Sequence, residues 1–128
     1  MANFTEAIEI IILNEGGYVN NPNDKGGETY MGISRNTHPN AIIWKHVDKI
    51  TVKYKTAKTI TKYLKQNKEL THEIEAIYKS DYWSRFNLDK EKSQRLANQI
   101  FDSAVNCGVS ATMTRINRVK NEMDSIKA

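Results

Sequence analysis

Two adjacent glycines, Gly16 and Gly17, stop the first periodic segment of the chain and constrain the fold of the residues after them. Phe4, Ala7, Ile8, Ile11 and Ile12 recur at helical spacing before them. Asn3 stands where an N-cap belongs, and Glu6 three residues on completes the pattern of a capping box. A glycine just past the last periodic residue is a common helix stop. The segment therefore predicts a helix over 4–15 that ends on Glu15. Residues 16–28 hold two glycine pairs, Pro22 and several Asn and Asp, which is loop composition. From Glu28 to Ser34 the pattern alternates, with Thr29, Met31 and Ile33 on one side, as in a short strand or hairpin arm.

Beyond this point the periodicity is helical. Residues 35–54 give no clear element, because Pro39 interrupts any helix there and only Ile42, Ile43 and Trp44 cluster. Ala57, Ile60, Tyr63 and Leu64 share one face of a helix over 56–67, with Lys55, Lys58, Lys62 and Lys65 off that face. A helix from Thr71 to Tyr82 carries Ile74, Ile77 and Tyr78 inward. Ser93 is placed to cap a helix bearing Leu96, Ala97, Ile100, Phe101, Ala104 and Val105, which Gly108 stops. A last helix runs from Ser110 through Met113, Ile116, Val119 and Met123. The expected fold is mainly α, one domain over 1–128 with a small β-hairpin near the N-terminus.

At 128 residues, with 39% hydrophobic and 27% charged residues, the chain can bury one core and is not of disordered composition. A net charge of +4 favours polyanionic partners without choosing among them. Cys107 is the single cysteine, which excludes an intramolecular disulfide, and a buried structural thiol is expected. The N-terminus lacks the basic region of a secretory signal, and the Ile10–Leu13 run is too short to span a bilayer. Synthesis in the cytoplasm is the expectation, with no stable membrane insertion. His38, His46 and His72 are scattered, so no zinc motif exists, and the glycine pairs lack the lysine of a phosphate-binding loop. No metal and no other cofactor is implied.

The residues that carry chemistry cluster between 15 and 30. Glu15 continues the apolar register of Phe4, Ile8 and Ile11 and sits at the negative end of the predicted helix. Shielding and the helix dipole both disfavour its ionised form, which is what a general acid needs. Asp24 follows nine residues later in a glycine-rich loop, where a carboxylate stays hydrated and ionised. One protonated and one ionised carboxyl is the pair that glycoside hydrolysis uses. Thr29, five residues further, offers a hydroxyl to hold a water. Read alone, Asp24 is more readily a turn residue than a catalytic one, and Thr29 an ordinary strand residue. Glu28 is a spare carboxylate facing away from Thr29 by strand alternation. Tyr18 and Tyr30 flank the group and are candidates to line a glycan groove. Tyr82 and Trp83 could stack on a sugar ring, although aromatics beside an amphipathic helix are more often core. Asp102 and Asn106 read as structural. The eight lysines against one aspartate between Lys45 and Lys68 read as a solvated face or a contact for a polyanion.

The run from Glu15-Gly16-Gly17-Tyr18 through Asp24 to Gly26-Gly27-Glu28-Thr29-Tyr30-Met31-Gly32-Ile33-Ser34 resembles the signature of glycoside hydrolase family 108. These are N-acetylmuramidases of phage endolysins and bacterial protein-release systems, some once labelled secretion activators. Ala76-Ile77-Tyr78 with Asp81-Tyr82-Trp83 resembles a second family block, and Phe101-Asp102 with Ala104-Val105-Asn106 and Gly108 a third. The resemblance implies a lysozyme-like fold in which the first helix and the β element form one wall of a cleft. It puts the family's catalytic Glu on Glu15. The order of Glu15, Asp24 and Thr29 also resembles the Glu, Asp and Thr of phage-type lysozymes, with the last interval one residue shorter.

The implied activity is hydrolysis of the β-1,4 bond between N-acetylmuramic acid and N-acetylglucosamine in peptidoglycan. The implied partner is the glycan strand, with no nucleic acid and a monomer as the expected state. A holin or another export route would deliver the protein to the wall. The small C-terminal peptidoglycan-binding domain usual in the family is expected to be absent or reduced to the last helix. The rival readings are a non-catalytic wall-binding or secretion-helper protein and a chitinase- or chitosanase-type glycosidase.

Overall fold

The computed structural model describes residues 1–21, 23 and 27–127, with the backbone alone for 13–15 and 127. Among the described residues are six α-helices and one three-stranded antiparallel sheet. The protein is mainly α, of the lysozyme-like class, with its small sheet near the N-terminus. The elements are α1 (Phe4–Glu15), β1 (Tyr18–Asn20), β2 (Glu28–Tyr30), β3 (Ile33–Ser34), α2 (Ile43–Lys53), α3 (Ala57–Lys65), α4 (Lys68–Tyr78), α5 (Gln94–Cys107) and α6 (Val109–Lys127). The chain divides into two compact units: unit 1 is Met1–Ala7 with Lys79–Ala128, and unit 2 is Ile8–Tyr78. α1 begins in the first and ends in the second.

In unit 2, α1 ends as its sequence predicts. The Asn3 side chain accepts from the Glu6 N–H at its start. Gly16 closes it with φ +66° and donates its N–H to the Ile12 carbonyl. Gly17 then lies against Thr61 of α3, so closely that a Cβ there would fall 2.5 Å from Thr61 Oγ1. The same Oγ1 accepts from the Tyr18 N–H at 2.9 Å and donates to the Ala57 carbonyl at 2.8 Å. The paired glycines thus have different duties: one adopts a left-handed turn, the other admits a helix.

The sheet has the strand order β1-β2-β3. Tyr18 pairs with Tyr30 and Asn20 with Glu28, so a strand lies inside the segment read as loop. The alternating run from Glu28 is a hairpin, with Tyr30 opposite Ile33 across a two-residue turn. Met31 and Gly32 fill that turn at φ 47° and 80°, the left-handed pair that matches the twist of flanking strands. Thr29 and Ile33 therefore sit on opposite faces, contrary to the simple alternation. Tyr78 fixes the turn by donating its buried hydroxyl to the Met31 carbonyl.

The segment without a sequence reading contains α2, whose Ile43, Trp44 and Val47 are buried while Ile42 is half exposed. α4 starts at Lys68 rather than Thr71, because Asn67 supplies the cap by accepting from the Leu70 N–H. Its α-helical bonding ends at Tyr78, and Lys79–Trp83 widens into a π-helical turn.

Unit 1 is built on three aromatic rings. Phe4, Trp83 and Phe101 meet with centroids 5.4–5.8 Å apart, two of the three contacts edge to face. The Trp83 Nε1–H donates to Asp89 at 2.7 Å, so the buried ring leaves no orphan donor. Ser93 caps α5 by accepting from the Leu96 N–H, and Gly108 ends it at φ 93°. α6 packs on α5, where the hydroxyls of Ser103 and buried Thr112 bond at 2.8 Å. α6 begins at Val109, one residue before the expected start. Cys107 is exposed rather than buried, because it ends α5 beside the turn, with Arg115 donating to its sulfur.

Candidate active site

Glu15, Tyr18, Glu28, Thr29 and Tyr30 all belong to unit 2, whereas Tyr82 and Trp83 belong to unit 1. Glu15 is the last residue of α1, and no basic residue occupies that helix's last turn. Its side chain, and Asp24 altogether, lie outside the described residues. Thr29 occupies the middle strand, between Val19 of β1 and Ser34 of β3. It is half-buried, and its hydroxyl bonds to no other described residue.

The opposite face of the sheet carries Tyr18, Asn20, Glu28 and Tyr30. Glu28 is fully engaged there. One oxygen accepts from the Tyr18 hydroxyl, and the other accepts from Arg35 at 2.9 Å. Arg35 also grips Asp48 of α2 with both terminal nitrogens, at 2.7 and 2.8 Å. Its guanidinium lies 5.4 Å from the centroid of the buried Trp44 ring. The hydrogen bonds from Arg35 hold the Asp48 carboxyl below its usual range. Those to Asp48 and Glu28 make Arg35 harder still to deprotonate. Burial, then the hydrogen bond to Glu28, pushes the Tyr18 phenol up to about 12. A carboxylate with both oxygens accepting, one from a guanidinium, is a clamp between β2 and α2 rather than a ready proton donor.

Sequence reasoning missed Arg35 and Asp48. The signal for Arg35 is the two-residue turn: it sets residue 35 beside residue 28, and the Arg35 N–H donates to the Glu28 carbonyl at 2.9 Å. Asp48 carries no such signal, since it reaches Arg35 only through the packing of α2.

The tyrosines divide. Tyr30 is wholly buried, its hydroxyl has no partner among the described residues, and burial raises its phenol to about 12. It presents no surface to a glycan. Tyr18 is 7% exposed and lines a cavity of about 300 Å³ together with Asn20, Thr51, Tyr54, Lys55 and Ile60. A larger cavity of about 470 Å³ in unit 2, between residues 37–43 and α4, touches none of the sequence-predicted site residues. Trp83 is core in unit 1, with no exposed face for stacking. Tyr82 is half-buried, which raises its phenol along with the neighbouring Asp81. Asn106 donates to Asp102 one turn back along α5, a bond within the helix surface. Among the described residues no cluster of His, Cys, Asp and Glu is arranged to hold a metal.

The family model described as Glycosyl hydrolase 108 matches residues 8–108. The chain belongs to the glycosyl hydrolase 108 family. No curated protein and no solved structure matches it. As a member of glycosyl hydrolase 108 the protein is a glycosyl hydrolase, and the matched span contains all of unit 2. Within the matched span, residues 76–83 and 101–108 have physical roles in the fold. Tyr78 pins the hairpin turn, and Trp83 and Phe101 form the aromatic centre of unit 1. No helix among the described residues is long and apolar enough to cross a membrane.

Proposed function

We propose that this glycosyl hydrolase is a muramidase that cleaves the β-1,4 bond between N-acetylmuramic acid and N-acetylglucosamine in peptidoglycan. Glu15 is the general acid and protonates the leaving oxygen. Its place at the end of α1, in a last turn without a basic residue, supports this role. The negative pole of the helix disfavours a second negative charge there and favours the protonated acid. Asp24 is the second carboxylate, orienting water or stabilising the oxocarbenium-like transition state. Thr29, whose hydroxyl has no described partner, helps to place that water. Tyr18 lines the glycan path from its cavity.

One observation carries the reading: of the carboxylates on α1's end and the adjoining sheet, Glu28 already has both oxygens occupied. This supports the choice of Glu15, which lies within the family-matched span, as the acid. The test is reducing-end release from purified peptidoglycan by wild type and Glu15→Gln, with chitin oligomers in parallel. Gln keeps the size of Glu but has no carboxyl proton to give. A loss of about a hundredfold or more is expected, the scale of a general acid. Equal cleavage by both proteins would remove Glu15 from the role. Binding to the sacculus without cleavage by wild type would make the chain a wall-binding protein.

A further inference from the structure

Two lysine stripes in unit 2 take no part in the chemistry above. α2 carries Lys45, Lys49 and Lys53, and α3 carries Lys58, Lys62 and Lys65, all exposed. Within each helix they fall three or four residues apart and so share one face. The helices pack on each other through their apolar sides. The stripes meet at Tyr54 and Tyr63, whose rings stack with centroids 4.2 Å apart. Lys53 Nζ lies 5.6 Å from the Tyr54 centroid and Lys62 Nζ 6.0 Å from that of Tyr63. Tyr54 also lines the small cavity shared with Tyr18.

The charge on this face is uncompensated. Asp48 is the one acid between Lys45 and Lys68, and Arg35 holds it at both oxygens. Among the described residues none of these lysines pairs with a carboxylate. Like charges one turn apart weaken the helices that carry them, and a face needed only for solubility alternates signs. A repeat of about 6 Å along each helix suits a linear series of anions better than a single one.

We infer that this face binds a phosphodiester-bearing polymer attached to the bacterial wall, an inference that rests on the peptidoglycan reading. The small cavity joins Tyr54, one ring of the stacked pair, and Lys55 to Tyr18, three residues from Glu15. A polymer tethered to the glycan can therefore occupy the lysines while the strand lies at Glu15. Nucleic acid, which has no tether to the glycan, gains nothing from that adjacency.

The test is co-sedimentation of the full chain with walls that carry the polymer and with the same walls stripped of it by hydrofluoric acid. The proteins are wild type, the quadruple variant Lys49→Gln, Lys53→Gln, Lys58→Gln, Lys62→Gln, and the corresponding four-fold Lys→Arg variant. Stripping the walls or the Gln changes should each weaken binding about tenfold or more at moderate salt, and Arg should restore it. The Gln variant should also lower the slope of log affinity against log salt by roughly three to four. Equal binding by wild type and the Gln variant overturns the inference, as does equal binding of wild type to both kinds of wall. Competition by duplex DNA as strong as that of the polymer, per phosphate, overturns it too. Reducing-end release from stripped walls is read in the same samples. Polymer-dependent binding without any release supports the lysine face and breaks the glycan-cleavage reading alone.

Discussion

In unit 1 the central rings touch one another. Phe4 and Phe101 each pack edge to face on Trp83, and the single polar atom among the three rings, Trp83 Nε1, is satisfied by Asp89. In unit 2 the rings of the sheet are tyrosines, and Tyr18 passes its hydroxyl into a chain of charged groups through Glu28 and Arg35 to Asp48. The first arrangement is held by shape and burial, which tolerate changes of pH. The second is held by directed bonds between titratable groups. It ties β1 to β2 and, through Arg35, to α2. A glycosyl hydrolase with these two units should therefore lose stability for different reasons in each.

The largest effect is expected in the dry centre. Trp83→Ala should destabilise the protein by roughly 3–5 kcal/mol, through lost burial and the cavity left behind. Urea unfolding measures this, and the loss should be nearly the same at pH 6 and pH 9. A loss below about 1 kcal/mol, well under the range for truncating a core tryptophan, would mean that the three rings do not form a tight core.

The polar half should respond to alkali instead. The folded-state phenols of Tyr18 and Tyr30 are pushed up to about 12 from an ordinary 10, first of all by burial. As pH rises the unfolded chain gives up these protons first. Stability is therefore intact below pH 10 and falls as pH passes from 10 through 12, by roughly 2–3 kcal/mol for each tyrosine. Urea midpoints measured from pH 9 to 12 should drop across that window. Tyr30→Phe should remove about half of the drop, at little cost at neutral pH because its hydroxyl has no described partner to lose. A flat profile, or one unchanged in Tyr30→Phe, would contradict the burial of these phenols.

Local signals explain how much of this could be read beforehand. α1 runs over the predicted residues because its cap, apolar period and glycine stop all lie within its own span. Ser93 and Gly108 bound α5 for the same reason. Where bonding is non-local, legibility fails. β1 is three residues inside a loop-like composition, and only its partner β2 makes it a strand. α2 has no side-chain cap at Ile42 and is set by the packing of Ile43, Trp44 and Val47. α4 starts three residues before its reading because Asn67, not Thr71, is the acceptor at its end. At the site, the alternation of Glu28 against Thr29 was legible, but the occupation of Glu28 was not. It depends on a hairpin register and on a helix twenty residues away in sequence. Tyr30 and Trp83 resemble ligand-facing aromatics in sequence, and only burial separates them from Tyr18.

The smallest effect tests the junction that joins α1 to the sheet. A Cβ on Gly17 would stand 2.5 Å from Thr61 Oγ1 and 2.7 Å from its Cγ2. Thr61 cannot simply turn away, since its oxygen accepts from Tyr18 and donates to Ala57. Gly17→Ala should therefore cost about 1–3 kcal/mol, the range for forcing an extra carbon into a packed site. Gly16 differs: its Cβ would meet nothing within 4 Å, and the cost of Gly16→Ala is backbone strain at φ +66° alone, about 1 kcal/mol. Adding Thr61→Ala separates the two. It should recover much of the Gly17→Ala loss, because the clashing atoms are gone, and none of the Gly16→Ala loss. Thermal unfolding of the double-mutant cycles measures both couplings. Strict additivity of Gly17→Ala and Thr61→Ala would show that the helix end is not seated on Thr61. Glycine would then be required by backbone conformation at Gly16 alone, since Gly17 has no left-handed φ to demand it.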